Sequence, residues 1–119
     1  MAGLDPAICR QLAGPFQTSN NRLMGGWLYM MTNRRHGTLY LGITSNLPHR
    51  IWEHREGVVE GFTRRYGLKI LVWAERHDDI LSAIQREKNI KHWPRAWKVA
   101  LIEAQNPEWA DLYEQLAGP

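Results

Sequence analysis

Two short runs, WLYMMT and GTLYLGIT, flank the segment NRRHG, and both alternate aliphatic positions with a tyrosine, a pattern that narrowly limits how the first half of the chain can fold. Both runs are rich in strand-forming residues, and the connection supplies the Asn and Gly that a turn requires, so a hairpin is expected. Side chains alternate along a strand. Leu28 and Met30 therefore point away from Tyr29, and Leu39, Leu41 and Ile43 away from Tyr40. The pairing that gathers the aliphatic residues on one face gathers both tyrosines on the other, with their hydroxyls within about 8 Å, near the reach of diagonal neighbours. A face made of Tyr29, Tyr40 and Gly42 does not read as a packed core. An ordinary cross-strand aromatic pair explains the two tyrosines as well.

The next segment, SNLPHRIWEHREG, reads as a helix with Asn46 as its cap, Pro48 in its first turn and Gly57 at its end. Arg50 and His54 are four apart on that helix and flank the stripe of Leu47 and Ile51, so a guanidinium fork and an imidazole lean toward the hairpin. EGVVEGFTRRYG then reads as a loop whose Thr63, Arg64, Arg65 and Tyr66 suit a phosphate backbone or a stacked base. Ordinary loop polarity explains them equally. A third strand is expected over Lys69–Glu75, followed by helices from Asp79 to about Trp93, Arg95 to about Ala104 and Pro107 to about Leu116, with Pro94 and Pro107 marking helix starts. Trp97, Leu101 and Ala104 form a core-type stripe on the second of these. The expected fold class is α+β: a small three-stranded antiparallel sheet flanked by helices. Residues 1–24 are poorly periodic and are expected to form a mobile N-terminal arm, leaving 25–119 as the domain.

One carboxylate is out of place. Ile80, Ala83, Ile84 and Ile90 make an apolar stripe at helical spacing, and Glu87 falls in the middle of it. Burying a carboxylate without a partner costs several kcal/mol, on the order of the stability of a small domain, so Glu87 is expected to meet a cation, with Arg50 as an evident partner for a structural ion pair. Asn106, immediately before Pro107, reads as a helix N-cap.

At 119 residues, 44% hydrophobic and with six Trp, the chain can bury one modest core. Cys9 is the only cysteine, so neither an internal disulfide nor a cysteine metal cluster can form. His36, His49, His77 and His92 lack metal-ligand spacing, and zinc is not expected. With no apolar run of about 18 residues and no leader pattern, neither a membrane span nor secretion is indicated, and the cytoplasm is the expected compartment. A net charge of +3 and a pI of about 9.3 are mildly basic. The cations fall in two groups, Arg50, Arg55, Arg64, Arg65 and Lys69, then Arg86, Lys88, Lys91, His92, Arg95 and Lys98. Such groups suit nucleic acid, and a solvated helix surface equally well.

Taken in order, WLY (Trp27, Leu28, Tyr29), YLG (Tyr40, Leu41, Gly42), the Arg-x-x-x-His of LPHRIWEH, the glutamate of IQREKNI and the late NPEW resemble the GIY-YIG nucleases, and specifically small stand-alone bacterial members related to the nuclease domain of an excision-repair endonuclease subunit. The likeness runs from about Gly25 to Leu112. Trp27 and Leu28 replace the Gly and Ile of the first motif, while Tyr29 is kept. The resemblance implies a metal-dependent endonuclease acting on DNA in repair or recombination, directed by DNA structure more than by sequence. It further implies Tyr29 as general base, despite an ordinary phenol pKa of ~10, and Tyr40 as the residue positioning water or phosphate. Arg50 would neutralise developing charge, and His54 would relay protons or orient. Glu87 would be the ligand of Mg²⁺, or of Mn²⁺, and Asn106 would help to hold the site together. Arg50 and Glu87 are expected beside the two hydroxyls. Arg64, Arg65 and Lys91 would contact nucleic acid, and a partner protein would supply targeting. Two other classes stay open: a nucleic-acid-binding module without cleavage, and a protein-interaction domain presenting Trp52, Trp73 and Trp109.

Overall fold

Strand β1 (Gly26–Thr32) pairs antiparallel with β2 (Leu39–Thr44) in a register that sets Tyr29 opposite Gly42 and Met31 opposite Tyr40. The two tyrosines share a face, as alternation demands. The computed structural model describes residues 25–58 and 60–117; the arm expected at 1–24 lies outside the described residues. Strand β3 (Ile70–His77) pairs with the other side of β1, giving the antiparallel order β2-β1-β3. The pairing shifts between Met30, opposite Trp73, and Met31, opposite Leu71, which leaves Val72 as the extra residue of a bulge. Helices α1 (Leu47–Glu56) and α2 (Phe62–Tyr66) lie between β2 and β3, and α3 (Ile80–Ile90), α4 (Arg95–Gln105) and α5 (Tyr113–Ala117) follow. The architecture is the expected α+β fold.

Both faces of the sheet are packed, which corrects the expectation for the tyrosine face. Leu28, Met30, Leu41 and Ile43 meet Ile80, Ala83 and Ile90 of α3, Ile102 of α4, and the indoles of Trp73 and Trp109. On the other side Tyr29, Met31 and Tyr40 meet Leu47 and Ile51 of α1 together with Leu68 and Leu71. A phenol ring is mostly apolar surface, so two of them can serve as core if their hydroxyls find partners. Helix α1 is delivered onto that face by its caps. The Asn46 side chain accepts from the His49 N–H, Pro48 sits in the first turn, and Gly57 ends the helix at φ 67°, a left-handed conformation that glycine adopts without strain.

The C-terminal segment departs from the expected pattern. No helix starts at Pro107: Trp109 is left-handed at φ 57°, and helical structure resumes only at Tyr113. The turn buries the Trp109 indole, whose Nε1 donates to Glu103 at 2.8 Å, so a tertiary contact overrides the local proline signal. Asn106 is consequently the C-cap of α4 and not an N-cap. Its side-chain nitrogen donates to the carbonyls of Val72 (3.0 Å) and Ala110 (2.8 Å), and its side-chain oxygen accepts from the Ala110 N–H (3.0 Å). Helix α4 is also rotated from the expected stripe: Ile102 is buried, Val99 and Leu101 pack against the core, and Trp97 is 58% exposed. With Trp73 and Trp109 in the core, only Trp52 of the three tryptophans proposed for a partner surface is exposed. Among the described residues no helix is long and apolar enough to cross a membrane.

Asn106 thus ties the end of α4 to the bulge of β3 and to the following turn. Replacing it with Ala leaves buried backbone groups without partners and is expected to destabilise the fold by about 2 to 4 kcal/mol, read as a lower denaturant midpoint at unchanged slope. An Asn106→Ala protein that melts normally would mean that the side chain has no such holding role.

Candidate active site

Helix α1 buries Leu47, Arg50, Ile51 and His54, the i, i+3, i+4, i+7 stripe of a single face. The polar members of the expected site therefore point into the tyrosine core. Tyr29 is fully buried, and its hydroxyl lies 2.9 Å from His54 Nε2. The other ring nitrogen, Nδ1, lies 2.7 Å from Thr63 Oγ1, so the hydroxyls of Tyr29 and Thr63 clasp the imidazole from both sides. The tyrosine rings stand 6.2 Å apart between centroids, and the His54 ring is 5.6 Å from Tyr29 and 5.7 Å from Tyr40. Gly42 makes this possible. A Cβ there would fall 2.5 Å from the Tyr29 hydroxyl oxygen and 2.8 Å from the Tyr40 ring.

Burial, aided by the positive charge of Arg50, lowers the His54 pKa to about 3. The imidazole is thus neutral at physiological pH, with one nitrogen donating and one accepting along the Tyr29–His54–Thr63 chain. When Nδ1 donates to Thr63, Nε2 accepts from the Tyr29 hydroxyl. Arg50 is 4% exposed and donates through Nη1 to Glu53 Oε1 at 2.9 Å, one turn along α1. A guanidinium in so dry a position exerts a stronger field than one in water.

Glu87 is placed differently from the expectation that it stands beside the tyrosines. Its helix, α3, packs Ile80, Ala83 and Ile90 on the Leu28 and Met30 side of the sheet, the face away from the phenols. Carboxylate and phenols thus lie on opposite faces of the sheet. Glu87 is 2% exposed, its Oε2 has no hydrogen-bond partner, and burial raises its pKa against the opposing pull of Lys91, Lys88 and His92. The expected ion-pair partner, Arg50, instead bonds Glu53.

An orphaned carboxylate oxygen fits a cation. Among the described residues no three His, Cys, Asp or Glu side chains converge on one point. A cation at Glu87 would then draw its other ligands from water or from substrate phosphate, which suits Mg²⁺, an ion that keeps much of its hydration.

The basic candidates flank the β2 edge. Lys91, His92 and Lys98 line a cleft of about 390 Å³ with Met30, Leu39, Leu41 and Phe62. Arg64 and Arg65 line a second, open cleft of about 750 Å³ with Glu60, Gly61, Phe62 and Tyr66. Phe62 belongs to both. Thr63, read from the sequence as a surface loop residue, is buried against His54, and the loop around it holds the short helix α2. A Thr followed by paired Arg has no sequence signal that separates these two roles. Asn106 has its amide engaged within the fold, on β3 and the turn after α4.

His54 and Glu87 respond to pH with opposite sign. His54, depressed when folded, adds stability that is complete above the unfolded pKa of about 6.5 and fades as pH falls toward 3, by at most about 1.4 kcal/mol per pH unit. Glu87, raised when folded, adds stability at low pH that is lost as pH rises through its folded value. Urea unfolding at pH 7 and pH 5 is expected to show a smaller acid loss in His54→Gln than in the parent. It should show a larger one in Glu87→Gln, where the compensating group is gone.

Comparison with known proteins agrees with this fold. The model of the GIY-YIG catalytic domain matches residues 25–100. A UPF0213 protein of Oceanobacillus iheyensis is 36% identical over 74 residues, 62% of this chain and 86% of that protein. One from Natronomonas pharaonis is 42% identical over 65 residues, 55% of this chain and 76% of its own. One from Desulfotalea psychrophila is 32% identical over 88 residues, 73% and 80% respectively. No solved structure matches the chain at a significant level. With a match that extends from Gly25 through both strands of the tyrosine hairpin to the middle of α4, the chain belongs to the GIY-YIG catalytic domain family.

Proposed function

We propose that this chain is a divalent-metal-dependent DNA endonuclease that hydrolyses phosphodiester bonds, directed by DNA structure and serving repair or recombination. The observation that carries this reading is the buried Tyr29–His54–Thr63 chain, with its imidazole kept neutral beside Arg50. Hydrolysis requires an activated water, a stabilised phosphorane-like transition state and a neutralised leaving oxygen. Tyr29 accepts the proton of the attacking water as its own hydroxyl proton passes to His54 Nε2, so that the imidazole carries the proton of the step. With a pKa lowered to about 3, the imidazolium gives that proton up readily to solvent, which makes His54 a relay and not a store. Thr63 holds the ring that holds Tyr29 and so acts as a positioning residue. Tyr40 orients the scissile phosphate, and Arg50 meets its developing charge with forked donors. Glu87 is the residue that would hold Mg²⁺ or Mn²⁺, and the bound ion supplies charge neutralisation at the leaving oxygen. The location is taken to be cytoplasmic, and targeting by a partner protein fits a domain with little room for a sequence reader.

Incubation with duplex, nicked, branched and single-stranded DNA, with Mg²⁺ or a chelator, read on a denaturing gel, tests the activity. Metal-independent binding without any product would leave a non-catalytic binding module. Glu87→Gln is expected to abolish cleavage while keeping DNA affinity within about tenfold, because it removes one metal ligand and little phosphate contact. The same change should raise the melting temperature of the metal-free protein at neutral pH, since an unpartnered buried carboxylate is replaced by a neutral amide. Added Mg²⁺ should stabilise the parent and not the variant. A variant that melts lower and still cuts would make Glu87 structural.

Arg50→Ala is expected to lower single-turnover cleavage on the order of 100-fold with little change in affinity, as for loss of one preorganised donor. Recovery of full turnover at high DNA concentration would reduce Arg50 to a binding contact.

A further inference from the structure

A row of aromatic rings leads from the tyrosine cluster to the surface. Tyr40 and Phe62 are stacked at 25° with centroids 6.2 Å apart, and Phe62 is followed by Tyr66 at 4.7 Å. Tyr66 is 50% exposed, and the guanidinium of Arg65 lies over its ring at 5.8 Å from the centroid. Apart from Tyr40 of β2, these residues sit on helix α2, only five residues long, which sorts its side chains by direction. Thr63 points inward to His54, Phe62 and Tyr66 pair at i, i+4 spacing, and Arg64 and Arg65 stay exposed beside them. The open cleft of about 750 Å³ is lined by these rings, both arginines, Glu60 and Gly61.

Tyr66 thus presents a half-exposed phenol at the mouth of this cleft. Aromatic faces bind nucleobases without regard to sequence, because every base has a π-face, and flanking arginines suit the phosphates on either side. Bases within a duplex are stacked on their neighbours and do not offer a free face. We propose that α2 is the seat of one unpaired nucleotide of a DNA strand, its base stacked on Tyr66 and Phe62 and its phosphates on Arg64 and Arg65. The preferred substrate then has single-stranded character next to the scissile bond. The base seat and the site are mechanically joined, since Thr63 of the same short helix holds His54. This inference rests on the endonuclease reading above and specifies its substrate.

The test separates binding from cleavage. In chelator, the parent is titrated with a blunt duplex and with the same duplex carrying a single-stranded extension that contains 2-aminopurine. The extended DNA is expected to bind at least tenfold more tightly, with quenching of 2-aminopurine fluorescence as the base stacks. Tyr66→Leu should lose roughly 5- to 100-fold in affinity for the extended DNA, the scale of one stacked base, and little for the duplex. Tyr66→Trp should retain both. Equal affinity of the parent for the two DNAs, or unquenched 2-aminopurine, would overturn the proposal, and neither result depends on a variant folding. Quenching and preference without cleavage of any DNA in Mg²⁺ would sustain the base seat and remove the nuclease reading. Cleavage of blunt duplex as fast as extended DNA would do the opposite.

Discussion

The tyrosine cluster depends on an empty space. Opposite Tyr29 on the neighbouring strand stands Gly42, and the phenol of Tyr29 lies where any other residue would have a Cβ. Glycine in a strand interior is less stable than alanine by roughly 0.5 to 1 kcal/mol, and here its bareness lets the ring lie across the strand. From that position the hydroxyl reaches His54, the ring packs near Tyr40, and α1 can lay Leu47 and Ile51 over both. Register, ring placement and helix placement are one constraint. A side chain at position 42 would disturb all three at once.

Among the buried ionisable groups, His54 and Glu87 have environments that differ in kind. His54 has a hydrogen-bond partner on each ring nitrogen and is neutral, so its burial leaves no polar atom unsatisfied. Glu87 has an oxygen without a partner in an apolar stripe and carries the associated desolvation. The first is an arrangement that makes a ring rigid. The second is a local instability that a ligand would relieve, as is common where a protein's stability gives way to its chemistry.

The two groups come from opposite faces of a three-stranded sheet. Strand β2 is one of the two outer strands of the order β2-β1-β3, and the one whose residues Leu39 and Leu41 share a cleft with Phe62, Lys91 and Lys98. Exposed edges invite pairing with other chains, and native proteins blunt them with short strands and charge. Here the edge is six residues long and bordered by Lys91 and Lys98, whose cleft includes Leu39 and Leu41. The same cations that discourage strand addition favour a polyanion lying across the edge.

The sequence by itself determined what depends on near neighbours. Strand alternation put Tyr29 and Tyr40 on one face, Asn46 and Gly57 bounded α1, helical spacing put Arg50 and His54 with Leu47 and Ile51, and the same spacing exposed Glu87 as a misplaced charge. Each of these follows from a backbone period acting over a few residues. Tertiary structure alone decided the rest. Thr63 reaches His54 only because α2 folds back against α1, and nothing in FTRRY distinguishes an inward hydroxyl from an outward one. The proline signal at Pro107 gave way because burying Trp109 and bonding Asn106 to Val72 favour a left-handed turn over another helical start. Parity could show that Glu87 faces a core, but not which one. That was decided when the chain, leaving β3, placed α3 on the aliphatic side of the sheet, because a helix chooses its face by the apolar surface it can cover and not by the chemistry of one residue in its stripe.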